Sequence, residues 1–182
     1  MDNKKQVNIF TDGACSGNQN DENLGGWGAI LEYGKHIKEI HGGERNTTNN
    51  KMEMSALISA LEALNKKNLS INVFSDSSYL LKCLRDKWYV KWQANGWKTS
   101  SRKPVENQDL WEKLLHLISD QDISYYLVKG HINIKSKSIN LKTVYAKFIE
   151  NNGAEFSYED FLYITERNNL ADELANKGIS EL

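Results

Sequence analysis

Asp12, Glu53, Asp76 and Asp172 each sit at the boundary of a predicted element, where carboxylates from distant parts of a chain can be brought together. Each has an ordinary explanation. Asp12-Gly13 is a turn signal, and Asn50 with Glu53 has the spacing of a capping box. Asp76, between a strand and a helix, suits an N-cap; Asp172 stands in a similar relation to Asn169. Together they suggest chemistry. Asp12 and Asp76 fall at the C-terminal ends of predicted strands, so neighbouring strands would place both carboxylates at one sheet edge. Glu53 and Asp172, in first helical turns, can point back at that edge. Four gathered carboxylates repel, so either their pKa values rise or cations bind. Oxygen ligands without a Cys or His cluster favour Mg²⁺ or Mn²⁺ over Zn²⁺. Two such ions about 4 Å apart suit phosphodiester hydrolysis, one activating water and the other stabilising the leaving oxygen.

The elements that must position these acids follow from periodicity. Strands are predicted over 7–11, 27–33, 35–42, 71–75 and 123–129. Met54, Leu57, Ile58, Leu61 and Leu64 recur at helical spacing and predict a helix over 51–65. Further helices are predicted from Ser77 onward, over 109–119 and over 170–177. The order β-β-β-α-β-α-α-β-insert-α predicts an α/β fold, a mixed five-stranded sheet flanked by helices. Residues 132–166 hold a helix candidate over 141–151, then Gly153 and the aromatics Phe156, Tyr158, Phe161 and Tyr163. They are too many for an ordinary loop and too few for a domain. They are read as an insertion within a single domain spanning 1–182.

The chain has 182 residues and a mass of 20.8 kDa, long enough to bury roughly 70% of its unfolded surface without disulfides or structural metal. No apolar run approaches the roughly 20 residues of a membrane span, and no signal peptide is visible. Cys15 and Cys83 are too few for a zinc site or disulfide framework, so reduced thiols and a cytoplasmic location are expected. A net charge of −1 argues against an obligate polyanion binder only on average. Lys82, Arg85, Lys87, Lys91, Lys98, Arg102 and Lys103 fall in one stretch whose one acid is Asp86. From Lys129 to Ile149 there are five lysines and no acid, and from Glu150 to Glu166 five acids and no base. Trp88, Tyr89, Trp92 and Trp97 interleave with Lys87, Lys91 and Lys98, a pattern in which ammonium groups hold phosphates and rings pack on sugars or bases. Trp88 and Trp92 are also spaced to form one buried helical face, and the core is the favoured place for Trp92.

Ile9-Phe10-Thr11-Asp12-Gly13-Ala14-Cys15, Thr47-Thr48-Asn49-Asn50-Lys51-Met52-Glu53-Met54, Phe74-Ser75-Asp76-Ser77, Val128-Lys129-Gly130-His131 and Asn169-Leu170-Ala171-Asp172-Glu173-Leu174-Ala175 resemble, in order, the motifs of the type 1 ribonuclease H family. Trp97-Lys98-Thr99 and Lys103-Pro104-Val105 resemble its stretch between the middle helices. The likeness covers nearly the whole chain outside 132–166. It implies a ribonuclease H-like fold and endonucleolytic cleavage of the RNA strand of an RNA/DNA hybrid, leaving 5′-phosphate and 3′-hydroxyl ends. It further implies two Mg²⁺ ions, with Mn²⁺ as the substitute. Asp12 would bridge the ions, Asp76 would join it on the nucleophile side, and Glu53 and Asp172 would complete the other site. Glu53 would also sense the 2′-hydroxyl that separates RNA from DNA, and His131 would match the family's mobile histidine. Asn18, Thr48, Asn49 and Asn50 would contact the hybrid's minor groove and a DNA phosphate. Trp88, Trp97 and Lys98 would belong to a basic protrusion that grips the hybrid.

Two departures stand out. Gln93-Ala94-Asn95 occupies what is often a basic tip, which implies weaker binding and a shallower salt dependence. Asn46 stands where many relatives carry a basic phosphate-binding residue, with Arg45 beside it. The insertion could be a lid, a partner surface, or a grip formed by Lys135, Lys137, Lys142 and Lys147. A monomer without a separate hybrid-binding domain is expected. The competing readings are a non-catalytic hybrid-binding module that retains the acids as caps, and a related nuclease acting on another nucleic acid such as duplex RNA.

Overall fold

A computed structural model describes residues 6–17 and 22–182. Five strands form its sheet: β1 (Gln6–Ser16), β2 (Leu24–Tyr33), β3 (His36–Arg45), β4 (Ser70–Ser75) and β5 (Asp122–Leu127), in the order β3-β2-β1-β4-β5. The first three make an antiparallel meander, and β4 and β5 run parallel to β1. Parallel neighbours need long crossovers. The chain supplies them with α1 (Asn49–Glu62) before β4, and with α2 (Ser78–Arg85), α3 (Trp88–Ala94) and α4 (Gln108–Ile118) before β5. After β5 come α5 (Leu141–Asn152) and α6 (Tyr158–Ser180).

Alternation along each strand divides the side chains between two apolar layers. Val7, Ile9, Ala29, Leu31, Ile71 and Val73 face a core shared with Leu57, Leu80 and Trp111 of α1, α2 and α4. Phe10, Ile30 and Phe74 face the other way, onto Phe148 of α5 and Phe161 and Ile164 of α6. On that second side α6 lies very close to β2, with the carbonyls of Ala171 and Ala175 against Gly28 and Gly26. The half of α6 nearer its N-terminus is fastened to the same strand at Glu32. That carboxylate accepts from Tyr163 Oη at 2.6 Å and pairs with Arg167 Nε at 2.9 Å.

Several boundaries differ from the expectations. β1 runs on to Ser16 because β2 continues to pair with it beyond Asp12, so Asp12-Gly13 is extended strand and not a turn. β5 stops at Leu127, leaving His131 in the segment that follows. Trp88–Ala94 is a helix of its own, separated from α2 by Lys87 in the left-handed region, so the order holds one more helix than predicted. The largest difference is α6, which starts at Tyr158, twelve residues before the predicted 170. Ser157 and Asp160 form a reciprocal capping box there. Phe161 and Tyr163 are therefore helical, and the segment between β5 and α6 holds α5 alone as regular structure.

Candidate active site

The parallel pairing of β1 and β4 ends at Thr11 opposite Ser75. Asp12 and Asp76 are the next residues on the two adjoining strands, which sets their carboxylates side by side. Ser77, not Asp76, caps α2, its Oγ accepting from Leu80 N at 3.3 Å. Thr48 caps α1, accepting from Lys51 N at 3.2 Å, so Asn50 and Glu53 form no capping box. Glu53 instead lies in the second turn of α1 and is buried. It reaches Asp12 because of Gly13: a Cβ there would stand 2.5 Å from Glu53 N and 2.7 Å from the carbonyl carbon of Met52. Without that Cβ, α1 rests directly on β1. Carboxylate oxygens of Asp12, Glu53 and Asp76 consequently all lie within 4.8 Å of one another.

Asp172 comes from the middle of α6 and not from a first turn. The contact of Ala171 with Gly28 sets its depth, because Gly28 pairs with Asp12 across the β1–β2 ladder. Asp172 Oδ2 lies 3.7 Å from Nδ1 of His131, an exposed imidazole on a residue with φ of 56°. Asp172 stands outside the group of three, near enough for its charge to act on Asp12 and Asp76, and none of the four acids caps a helix.

The cost of gathering them is visible in their proton affinities. Burial, and then the charges of Asp76 and Asp172, push the Asp12 carboxyl up to about 8, although the Gly13 N–H donates to its Oδ1 at 2.8 Å. Burial first, and then Asp12 and Asp76, hold Glu53 well above the usual carboxylate range. Asp76 is also raised by burial, against the opposing influence of Asp12 and His131. Glu53 Oε2 is buried with no hydrogen-bond partner among the described residues, a state that costs free energy unless something outside the chain satisfies it. An all-oxygen donor set with surplus negative charge and an orphaned buried oxygen fits a hard divalent cation.

The expected substrate-binding residues are spread more widely. Asn18 lies outside the described residues. Thr48, Asn49 and Asn50 stand exposed at the start of α1, close to Glu53 in sequence and space. Trp88 is exposed, with Lys82 Nζ 5.9 Å from its ring centroid. Trp92 is buried in the first core, edge-on to Trp111, as favoured from its spacing. Trp97 is half-buried against Trp92, so one face of its ring supports the core. Asn95 closes the turn after α3, bonding to both N and O of Lys98 and leaving that ammonium group exposed. Arg45, beside Asn46, is engaged by Glu22 and by the carbonyl of Leu182. Asn168, one turn before Asp172 on α6, is buried, and neither amide atom has a partner among the described residues.

The family model described as RNase H matches residues 4–180. The Ribonuclease H of Chlorobium phaeovibrioides is 51% identical over 128 residues, which are 70% of this chain and 85% of that protein. Among solved structures, LC9-RNase H1, a type 1 RNase H with the type 2 active-site motif, aligns with a TM-score of 0.63 at 22% identity. That alignment covers 90% of this chain and 83% of the other. A foamy viral protease-reverse transcriptase in complex with RNA/DNA hybrid aligns with a TM-score of 0.65 at 19% identity, over 98% of this chain and 20% of that one. At such identities the structural likeness speaks for the fold.

Proposed function

The chain belongs to the RNase H family, and from that footing we propose that it is an endonuclease that hydrolyses the RNA strand of RNA/DNA hybrids by a two-metal mechanism. The observation that carries the proposal is the meeting of Asp12, Glu53 and Asp76 oxygens within 4.8 Å, with Asp172 beside them. Asp12 would bridge two Mg²⁺ ions, Asp76 would complete one site, and Glu53 and Asp172 the other. Bound there, Mg²⁺ (or Mn²⁺ in its place) supplies the Lewis acidity that generates a nucleophile from water and stabilises the leaving 3′-oxygen. The bond broken is P–O3′, so the products carry 5′-phosphate and 3′-hydroxyl ends.

The remaining work belongs to the side chains. Burial and the neighbouring carboxylates raise the proton affinity of both Asp12 and Glu53, and a bound cation, which favours the anionic forms, would displace protons held there. His131, exposed and next to Asp172, hands a proton to the 3′-oxygen as it departs. Glu53 accepts from the 2′-hydroxyl next to the scissile phosphate, which is how the site separates RNA from DNA. Asn18, Thr48, Asn49 and Asn50 contact the minor groove and a DNA phosphate, while Trp88, Trp97 and Lys98 hold the hybrid further along.

Titration calorimetry with Mg²⁺ in two buffers of different ionisation enthalpy tests the carboxylate assignment. The expected outcome is net proton release near neutral pH, greatly reduced in Asp12→Asn. Mg²⁺ binding with no proton release in the parent protein would contradict it.

A further inference from the structure

Between α5 and the catalytic edge lies a cleft of about 600 Å³ whose rim includes Asp76 and His131. Its existence follows from how α5 is attached. The C-terminal end of that helix is clamped: Asn152 Oδ1 accepts from Leu127 N at 2.8 Å and its Nδ2 donates to Leu127 O at 2.8 Å. Arg85 adds bonds to Asn151 O, to Asn152 Oδ1 and to Tyr125 O. The earlier turns of α5 form the far wall, presenting Thr143, Val144 and Lys147. The floor is apolar, made by Val128, Phe148 and Phe161. Lys129 and Lys147 supply positive charge, and both are exposed. The acid paired with Lys147 is Glu150, itself exposed, at 3.0 Å.

Apolar floor, convergent hydroxyl and ammonium groups, and a volume in the range of small-ligand sites are the makings of a binding pocket. We propose that this cleft is a subsite for an unpaired ribonucleotide of the cleaved strand, where that strand leaves the hybrid as a single-stranded extension. The inference rests on the hybrid-nuclease reading above and adds a preference for junctions between hybrid and single-stranded RNA. Continuity with Asp76 and His131 identifies the strand, since those groups face the one being cut. The apolar lining identifies its state: a duplex turns its phosphates and sugars outward and keeps its base faces stacked inside, so only an unpaired base can cover Leu127, Val128 and Val144 between α5 and the Leu127–His131 segment. Basic side chains at the mouth with an apolar surface beneath suit a single strand, whose phosphates and bases are both open to contact.

The test is equilibrium binding of fluorescein-labelled hybrids to the full chain in EDTA, where nothing is cut. Four ligands are compared: a blunt hybrid, two hybrids with a short single-stranded RNA extension at one or the other end of the RNA strand, and the same hybrid with the DNA strand extended. One of the RNA-extended hybrids is expected to bind about tenfold more tightly than the blunt one, the contribution of roughly one base laid on an apolar surface with its phosphate near a lysine. The DNA extension should give no such gain. Thr143→Trp, which fills the cleft from an exposed helix position, should bring the ratio to about one. Ala146→Trp, on another exposed position of α5, should retain it. Equal binding of blunt and RNA-extended hybrids, or an unchanged ratio in Thr143→Trp, overturns the subsite. Metal-dependent cutting of the blunt hybrid, assayed on the same preparations, reports on the underlying reading separately. Failure to bind any hybrid in EDTA overturns the subsite, and failure to cut the blunt hybrid with metal overturns the underlying reading.

Discussion

Asp12 shows what a single residue contributes and what it costs. A carboxyl whose folded pKa lies above its unfolded value keeps its proton more tightly in the folded chain. Stability of the metal-free protein should therefore fall as pH rises from about 4 to about 8, by up to about 1.4 kcal/mol per pH unit for one such group. Asp12→Asn removes that residue's share of the dependence. In EDTA its melting temperature should exceed the parent's by a margin that widens with pH, and Mg²⁺ should raise the parent's melting temperature while doing little for the mutant. A margin independent of pH would show that Asp12 is not held protonated. The four acids and His131 were all legible in the sequence as residue types, but their local roles were not. Thr48 and Ser77 sit one or two positions from residues that looked equally able to cap, and only backbone geometry decides which oxygen meets the N–H.

Among the elements, α1 and α6 carry acids to the strand ends, and each is positioned by contacts the chain could show only in part. The apolar spacing of α1 and the strands flanking Asp12 and Asp76 was plain, because alternation and helical periodicity are local. The start of α6 was missed because its first three turns mix acids with aromatics, and their apolar side is defined by the second sheet face and by Glu32, far away in sequence. That tie gives a stability prediction. Arg167→Ala leaves the buried Glu32 with Tyr163 as its remaining partner among the described residues and should cost about 2 kcal/mol. Urea unfolding would measure it, and Glu32→Gln in the same background should restore part of the loss. A cost near zero would mean that α6 is seated by its alanines against the β2 glycines alone.

At the scale of the whole molecule, a net charge of −1 conceals a basic stretch from α2 to Lys103, another from Lys129 to Ile149, and an acidic stretch after it. That segregation was readable from the sequence, whereas the convergence of the second basic stretch on the catalytic edge depended on the clamp at Asn152. Hybrid binding should accordingly depend on salt, with log K falling by about 0.9 per log unit of salt for each phosphate neutralised. Lys98→Ala should flatten that slope by about one contact. With Gln93-Ala94-Asn95 between the basic residues, the parent's slope should be shallower than that of a relative with a basic tip, measured in matched buffers; an equally steep slope would contradict this. The central claim, that four carboxylates on this sheet edge run hybrid-specific hydrolysis, is tested most directly by one assay. End-labelled RNA/DNA hybrid, single-stranded RNA and duplex RNA are incubated with Mg²⁺, Mn²⁺ or EDTA, using the parent protein and Asp76→Asn. The expected result is cutting of the hybrid's RNA strand alone, dependent on metal, leaving 3′-hydroxyl ends, and absent in a mutant that melts no lower than the parent. Parent-like cutting by Asp76→Asn, or tight hybrid binding with no cutting under either metal, would contradict it.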